Sequence, residues 1–248
     1  MQQRLKMGIG SAENMAINIV LTGNPGTGKT SIARKLGEVF YAVGLLPTNK
    51  VIEVDRSQMV GQYMGETPKI VNKLCDRAIG GVLFIDEAYT LIDPDNPSTD
   101  KYGKEAVEAL MKRLEDDKGK FVVVVAGYKD AMDRFLHANP GLESRFTHSM
   151  HIDHYNDIEL MDIFKMLASK KQYELTPMAE AALMEKVTKM YINKTRNFAN
   201  AREIRKLFDN TIQQLSIRVS KMAPGDITAA TYQLILPEDI IGTQGGVL

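Results

Sequence analysis

The chain has 248 residues, 44% of them hydrophobic, with 31 basic residues against 31 acidic ones and no formal net charge. That length holds one large domain or two modest ones, and the apolar share is enough for a packed core. Zero net charge removes any overall pull toward nucleic acid or an anionic membrane, the single cysteine (Cys75) excludes an internal disulfide framework, and no apolar run nears the roughly 20 residues of a membrane-spanning helix. With no signal peptide at its start, the chain reads as cytoplasmic.

In chain order, five short runs read as strands: Asn18–Thr22, Val51–Asp55, Val82–Asp86, Phe121–Ala126 and His148–Asp153. The middle three are nearly continuous in apolar residues, as expected of strands covered on both faces. Helical patterns lie between them over Thr30–Ala42, Pro68–Ile79 and Lys104–Leu114, with Thr67 and Pro68 placed as N-cap and first helical residue of the second. This alternation predicts an α/β fold with an open, mostly parallel sheet. After Tyr155 the strand signal ends. A helix is predicted over Asp157–Lys171, a second follows Thr176-Pro177 with Ala179, Leu183, Val187 and Met190 on one face, and a third aligns Ile204, Phe208, Ile212, Leu215 and Val219. The division expected is residues 1–154 as an α/β domain and 155–248 as a smaller all-helical one.

Gly23-Asn24-Pro25-Gly26-Thr27-Gly28-Lys29-Thr30 matches G-x-x-x-x-G-K-[ST] between a predicted strand and a predicted helix, with Ser31 as a further nucleotide-binding candidate in the first turn of that helix. Glycines at 23, 26 and 28 allow a tight loop whose N–H groups turn toward phosphate oxygens, and the helix N-terminus adds positive potential. In such a loop Lys29 reaches the β- and γ-phosphates and the Thr30 hydroxyl ligates Mg²⁺, so ATP with Mg²⁺ is the expected ligand. The apolar run Val82–Ile85 then ends in Asp86-Glu87. Two carboxylates at the C-terminal end of a buried strand face the crevice where ligands bind in open sheets. Asp86 suits the Mg²⁺ shell and Glu87 the polarisation of an attacking water, which argues for hydrolysis beyond binding. A GTPase would carry N-K-x-D, but Asn49-Lys50 runs into Val51-Ile52. A small-molecule kinase normally lacks the glutamate after the aspartate.

Together the segments TGNPGTGKT (22–30), VGQYMGET (60–67), GGVLFIDEAYTL (80–91), VVVAGYKDAMDRF (123–135), NPGLESRF (139–146) and NFANAREIRKLFD (197–209) resemble the AAA+ ATPases. Within them they resemble the CbbX group, which includes red-type Rubisco activase, the sporulation protein SpoVK and the ATPase domain of type VII secretion EccA proteins. The resemblance implies a five-stranded P-loop domain followed by a helical lid, and a homo-oligomeric ring, usually a hexamer, that remodels a protein client. It places an arginine finger at Arg145, reaching a neighbouring subunit's nucleotide, and a sensor-2 arginine at Arg202, where Asn200-Ala201-Arg202 carries asparagine in place of the usual glycine. Tyr128 falls near the sensor-1 position, which is normally an asparagine; a packing aromatic is the other reading there. Pore loop 1 falls on Gly61-Gln62-Tyr63-Met64-Gly65, with Tyr63, Met64 and the hinge-like Gly65 as the gripping element; Tyr63 could equally tuck back onto its own domain.

The loop Asp93–Gly103 reads as a second channel-lining or surface loop. His148, His151 and His154 recur every third residue on a predicted strand, where that spacing alternates faces, and no ligand set is completed around them. Lys186, Lys189, Lys194 and Arg196 read as a solvated face. Two other functions use the same nucleotide motifs. One is an assembly or DNA-processing switch of clamp-loader type, which has no need of Tyr63, and the other is a scaffold that binds ATP without hydrolysing it.

Overall fold

The computed structural model describes residues 17–92, 100–195 and 198–242. Contacts divide the chain into two compact units. One comprises 17–23 with 28–152, and the other comprises 24–27 with 153–242.

In the first unit, β1 (Asn18–Gly23), β2 (Val51–Val54), β3 (Val82–Ile85), β4 (Val122–Gly127) and β5 (His148–Ile152) form one parallel sheet in the order β2-β3-β4-β1-β5. Helices α1 (Lys29–Ala42), α2 (Arg56–Met59), α3 (Glu66–Ala78), α4 (Lys101–Asp116), α5 (Lys129–His137) and α6 (Pro140–Arg145) connect the strands. The period of two along each strand sorts side chains between two cores. Val20, Leu83, Ile85, Val123 and Val125 pack with Val71, Leu74, Val107 and Leu110 of α3 and α4. Ile19, Leu21, Val82, Phe84, Val122 and Val124 pack on the opposite face with Ala33 of α1. Each such fully buried side chain contributes about 1.5–3 kcal/mol. The sheet holds its strand ends in register: Gly23 lies beside Ile152, and Ile85 beside Val125. The carboxyl ends of β1, β3 and β4 therefore open on one edge, at the point where the strand order reverses.

Three expectations for this unit are corrected. Helix α3 starts at Glu66 behind a left-handed Gly65 (φ 78°), not behind Thr67. The Thr67 hydroxyl is buried, accepting a bond from Gly61 N–H at 3.0 Å, so it serves the preceding loop and not the helix end. Helix α4 starts at Lys101 behind Asp100, whose carboxylate caps Gly103 N–H and pairs with Arg56, so Lys101–Gly103 is helical and not loop. The rest of the predicted loop, 93–99, lies outside the described residues. Helices α2, α5 and α6 fall where the sequence predicts no helix.

The second unit is built on α7 (Asp157–Lys170), α8 (Pro177–Ile192) and α9 (Ala201–Ser220), with short α10 (Ala229–Gln233) and α11 (Pro237–Ile241). Asn156 caps α7 with Glu159 in a reciprocal box, and Thr176 caps α8 by accepting from Ala179 N–H at 3.1 Å. Leu160, Leu183, Val187, Ile204, Leu215 and Val219 are buried around Phe164 and Phe208, whose rings meet edge-on at 5.3 Å. Asp239, 1% exposed, is held by Arg218 at 2.9 Å and accepts from Leu236 N–H, which ties α11 to α9. Strands do not end at residue 155: β6 (Glu174–Leu175) and β7 (Leu234–Ile235) form a two-residue parallel pair. Lys186 is not a plain solvated lysine either. Its amine donates to Ile240 O at 2.9 Å, and burial lowers its pKa. Arg196 lies outside the described residues.

Candidate functional site

The glycine-rich segment leaves β1 at Gly23 and enters α1 at Lys29, with Gly28 in the left-handed region (φ 91°). Five successive carbonyls of the loop each have a donor. Lys29 Nζ donates to Gly23 O at 2.9 Å and the Thr27 hydroxyl to Asn24 O at 2.9 Å. Asn200 Nδ2 donates to Pro25 O at 3.0 Å, Ala201 N to Gly26 O at 3.2 Å, and the Tyr155 hydroxyl to Thr27 O at 2.9 Å. A trans peptide directs its N–H opposite to its C=O. The donors to the carbonyls of Gly23, Pro25, Gly26 and Thr27 therefore leave the N–H groups of Asn24, Gly26, Thr27 and Gly28 each pointing away from those donors, as a cradle for anions requires. The first turn of α1 carries no acidic side chain, so the positive helix terminus is not offset. Thr30 is half-buried and Ser31 exposed beside it.

Strand β3 places Asp86 and Glu87 at the same sheet edge. Asp86 N–H continues the β2 ladder by bonding Val54 O at 2.9 Å, and Asp86 Oδ1 accepts from Glu87 N–H at 3.1 Å. Glu87 is left-handed (φ 48°), a conformation that costs a non-glycine residue about 1–2 kcal/mol. It turns the chain into a 3₁₀ helix over Ala88–Leu91. Its Oε2 is buried with no hydrogen-bond partner among the described residues. An orphaned carboxylate oxygen is expensive unless a water or ligand group meets it. Burial, then the adjacent Glu87 carboxylate, pushes the Tyr89 hydroxyl far above the usual phenol range. The Tyr89 ring lies 5.9 Å from that of Tyr128, and Lys29 Nζ sits 5.5 Å over the Tyr128 ring. Tyr128 thus stands beside Lys29 and Tyr89, and is still 37% exposed.

Arg145 ends α6, where its guanidinium donates to Gly141 O at 3.0 Å and pairs with Glu115 at 2.6 Å. Its backbone is pinned by buried Asn18, which donates to Arg145 O and accepts from Val123 N–H. Arg202 stands exposed in the first turn of α9, its N–H bonded to Ala199 O at 2.9 Å. Tyr63 and Met64 are 69% and 76% exposed on a turn in which the Glu66 carboxylate accepts from both Gln62 and Tyr63 N–H. Among the histidines, His151 bonds Thr22, while His154 bonds both Asn24 (2.7 Å) and Asn200 (3.1 Å). No group of three or more metal-ligating side chains occurs among the described residues.

Sequence reasoning missed Asn200 as a loop contact, together with Tyr155, His154, Tyr89 and Asn18. The one signal available was asparagine at a glycine position of the sensor-2 pattern.

Residues 19–154 match the family described as "ATPase family associated with various cellular activities (AAA)", and residues 156–246 match the AAA lid domain. The chain belongs to the AAA ATPases. Protein CbbX of Cereibacter sphaeroides is 38% identical over 96% of this chain and 75% of its own length. The chloroplastic ribulose bisphosphate carboxylase/oxygenase activase of Cyanidioschyzon merolae is 37% identical over 96% and 80%. Stage V sporulation protein K of Bacillus subtilis is 36% identical over 88% and 66%. The solved FIGL-1 AAA domain shares the fold at 17% identity, with a TM-score of 0.62 over 99% of this chain and 77% of that one. As an AAA ATPase the chain binds ATP. No described helix is long and apolar enough to cross a membrane.

Proposed function

We propose that this ATPase is a remodelling motor, a ring of identical subunits (six by family resemblance) that pulls on an extended segment of a protein client in the cytoplasm. The observation that carries this reading is the turn at Gly61–Gly65. It leaves an aromatic and a thioether, Tyr63 and Met64, largely in solvent, and it is braced by Glu66 and Thr67 rather than by packing of those two side chains. Adaptable apolar groups of this kind grip varied chain segments without demanding a sequence. A protein client is further supported by the activase relative, whose name states its action on a protein.

In this reading residues 1–154 form the ATPase domain and 155–248 the lid. Gly23 to Gly28 wrap the phosphates with backbone N–H groups, and Lys29 leaves Gly23 O to meet phosphate oxygen. Thr30 and Asp86 supply the oxygen ligands that suit Mg²⁺, which when bound neutralises phosphate charge; Ser31 adds a hydroxyl beside them. Glu87, with its unpartnered oxygen at the site, orients and polarises the attacking water. Tyr128 keeps Lys29 and Tyr89 in place in the absence of a sensor asparagine. Arg145 leaves Glu115 to complete a neighbour's site, and Arg202 reports the nucleotide state to the lid.

Tyr63→Ala tests the motor. Basal ATPase activity should stay within about twofold, because the side chain touches no nucleotide residue, while client remodelling or ATPase stimulation by client should be lost. Remodelling at the wild-type rate would remove the pulling mechanism and leave the clamp-loader-type switch as the better reading.

A further inference from the structure

Asn200 is fully buried and adopts φ 48°, ψ −122°, a backbone conformation suited to glycine. A side chain is retained there against that strain, and all of its hydrogen-bonding capacity is used. Its Nδ2 donates to Pro25 O (3.0 Å) and Phe198 O (3.2 Å), and its Oδ1 accepts from Tyr155 N–H (3.2 Å) and faces His154 Nδ1 (3.1 Å). One neutral tautomer of His154 satisfies the rest of the network: Nδ1–H donates to Asn200, and Nε2 accepts from Asn24 Nδ2 at 2.7 Å. Around this amide, Tyr155 takes Thr27 O and Ala201 N–H takes Gly26 O.

We propose that Asn200, together with Tyr155, is a positioning residue for phosphate binding, setting the peptide planes of the phosphate loop from behind. The inference rests on the ATPase reading and adds residues that do not touch the nucleotide. Three consecutive peptides, 25–26, 26–27 and 27–28, have their carbonyls drawn to these donors, so the N–H groups of Gly26, Thr27 and Gly28 each point away from them. Without the donors each plane could rotate and present a carbonyl to the phosphates, replacing attraction with repulsion. Glycine at position 200 would relax the backbone but supply no donor to Pro25 O, which accounts for asparagine at a strained position.

The test compares full-length wild type with Asn200→Gly and Tyr155→Phe. It measures the Kd of ADP with Mg²⁺, competition by inorganic pyrophosphate, kcat at saturating ATP, and the unfolding midpoint without nucleotide. Each variant should weaken ADP and pyrophosphate by the same factor, roughly 5- to 20-fold for the one bond to the loop that each removes and its orphaned acceptor, with kcat at saturation within about threefold of wild type. A fold defect alone would lower the midpoint without this equal loss. A folded variant that binds pyrophosphate like wild type removes its residue from the role, and weaker ADP with unchanged pyrophosphate overturns the phosphate assignment. If Asn200→Gly does not fold, Tyr155→Phe, which deletes one oxygen, still decides the matter. Wild type that bound neither ADP nor pyrophosphate would sink the ATPase reading itself, an outcome separate from these.

Discussion

Gly26→Ala is a severe test of how the phosphate loop is held. Gly26 has φ 69°, which costs an alanine about 1–2 kcal/mol before any contact is counted. A Cβ built there would lie 2.0 Å from Ala199 O and 3.1 Å from Arg202 N. The carbonyl would have to withdraw by more than about 1 Å to reach van der Waals contact. That movement breaks the bond from Arg202 N–H to Ala199 O and the one from Ala201 N–H to Gly26 O. Each contributes about 0.5–1.5 kcal/mol, so the total is about 2–5 kcal/mol. Spent on loop geometry, about 3 kcal/mol weakens ADP by roughly 100-fold. Titration of a fluorescent ADP analogue reads the loss, and thermal unfolding reads any share that falls on stability. Gly225→Ala is the control, since an added Cβ at that position meets nothing within 4 Å and should change neither measurement. Gly26→Ala protein with ADP affinity within threefold of wild type and an unchanged midpoint would refute the close-approach argument.

Glu87→Gln should bind ATP normally and hydrolyse it roughly 10²- to 10⁴-fold more slowly, and phosphate release at the wild-type rate would reassign the water-activating role. Arg145→Ala should keep nucleotide affinity and lose turnover by about 10³-fold or more, restored in part by mixing with Glu87→Gln subunits if the arginine acts across an interface. Glu115→Gln removes only an exposed partner of Arg145, so turnover should remain within about threefold; a tenfold fall would mean that the pair is needed intact. Burial pushes the Cys75 thiol up to about 11, so at pH 8 the native protein should resist a thiol-specific disulfide reagent until it is unfolded. Because the folded value is raised above the unfolded one, near 9, this group's stabilisation is present below pH 9 and is lost as pH rises toward 11; a stability profile that rises over that window would contradict the sign.

Contiguous signals were legible. β1, β3 and β4 were placed to within a residue because apolar runs buried on both faces have few alternatives, α8 followed from its Thr176-Pro177 cap and apolar face, and α9 from its apolar face. Helix α5 could have been read from Met132, Phe135 and Leu136, spaced at i, i+3 and i+4. Helix α3 was started two residues late because two capping groups were already occupied: Thr67 by Gly61 N–H, and Glu66 by Gln62 and Tyr63 N–H. A two-residue strand such as β6 or β7 has no period to detect. The phosphate and carboxylate motifs could be written down from the sequence, but their supporting groups could not. Asn200 lies 175 residues from Pro25, and Tyr155 lies 128 from Thr27; nothing in the spacing of either specifies which carbonyl it meets.

Two non-glycine residues with positive φ, Glu87 after β3 and Asn200 behind Pro25, mark where local preference gives way to chemistry. Glycine would fit either backbone with less strain, but it would lack a carboxylate to meet water at one position and an amide to hold Pro25 O at the other. The surrounding fold keeps both conformations in place. Glu87 follows a strand locked into the sheet by the bond from Asp86 N–H to Val54 O, and Asn200 heads a 20-residue helix anchored by Ile204, Phe208 and Leu215. Strain of a few kcal/mol is small beside that burial, so it can persist in the folded state. Substituting glycine should therefore act on the site in two different ways: Glu87→Gly should abolish hydrolysis, while Asn200→Gly should weaken phosphate binding and leave turnover at saturating ATP nearly unchanged, unlike a core substitution such as Phe208→Ala, whose cost of about 3–5 kcal/mol falls on the fold.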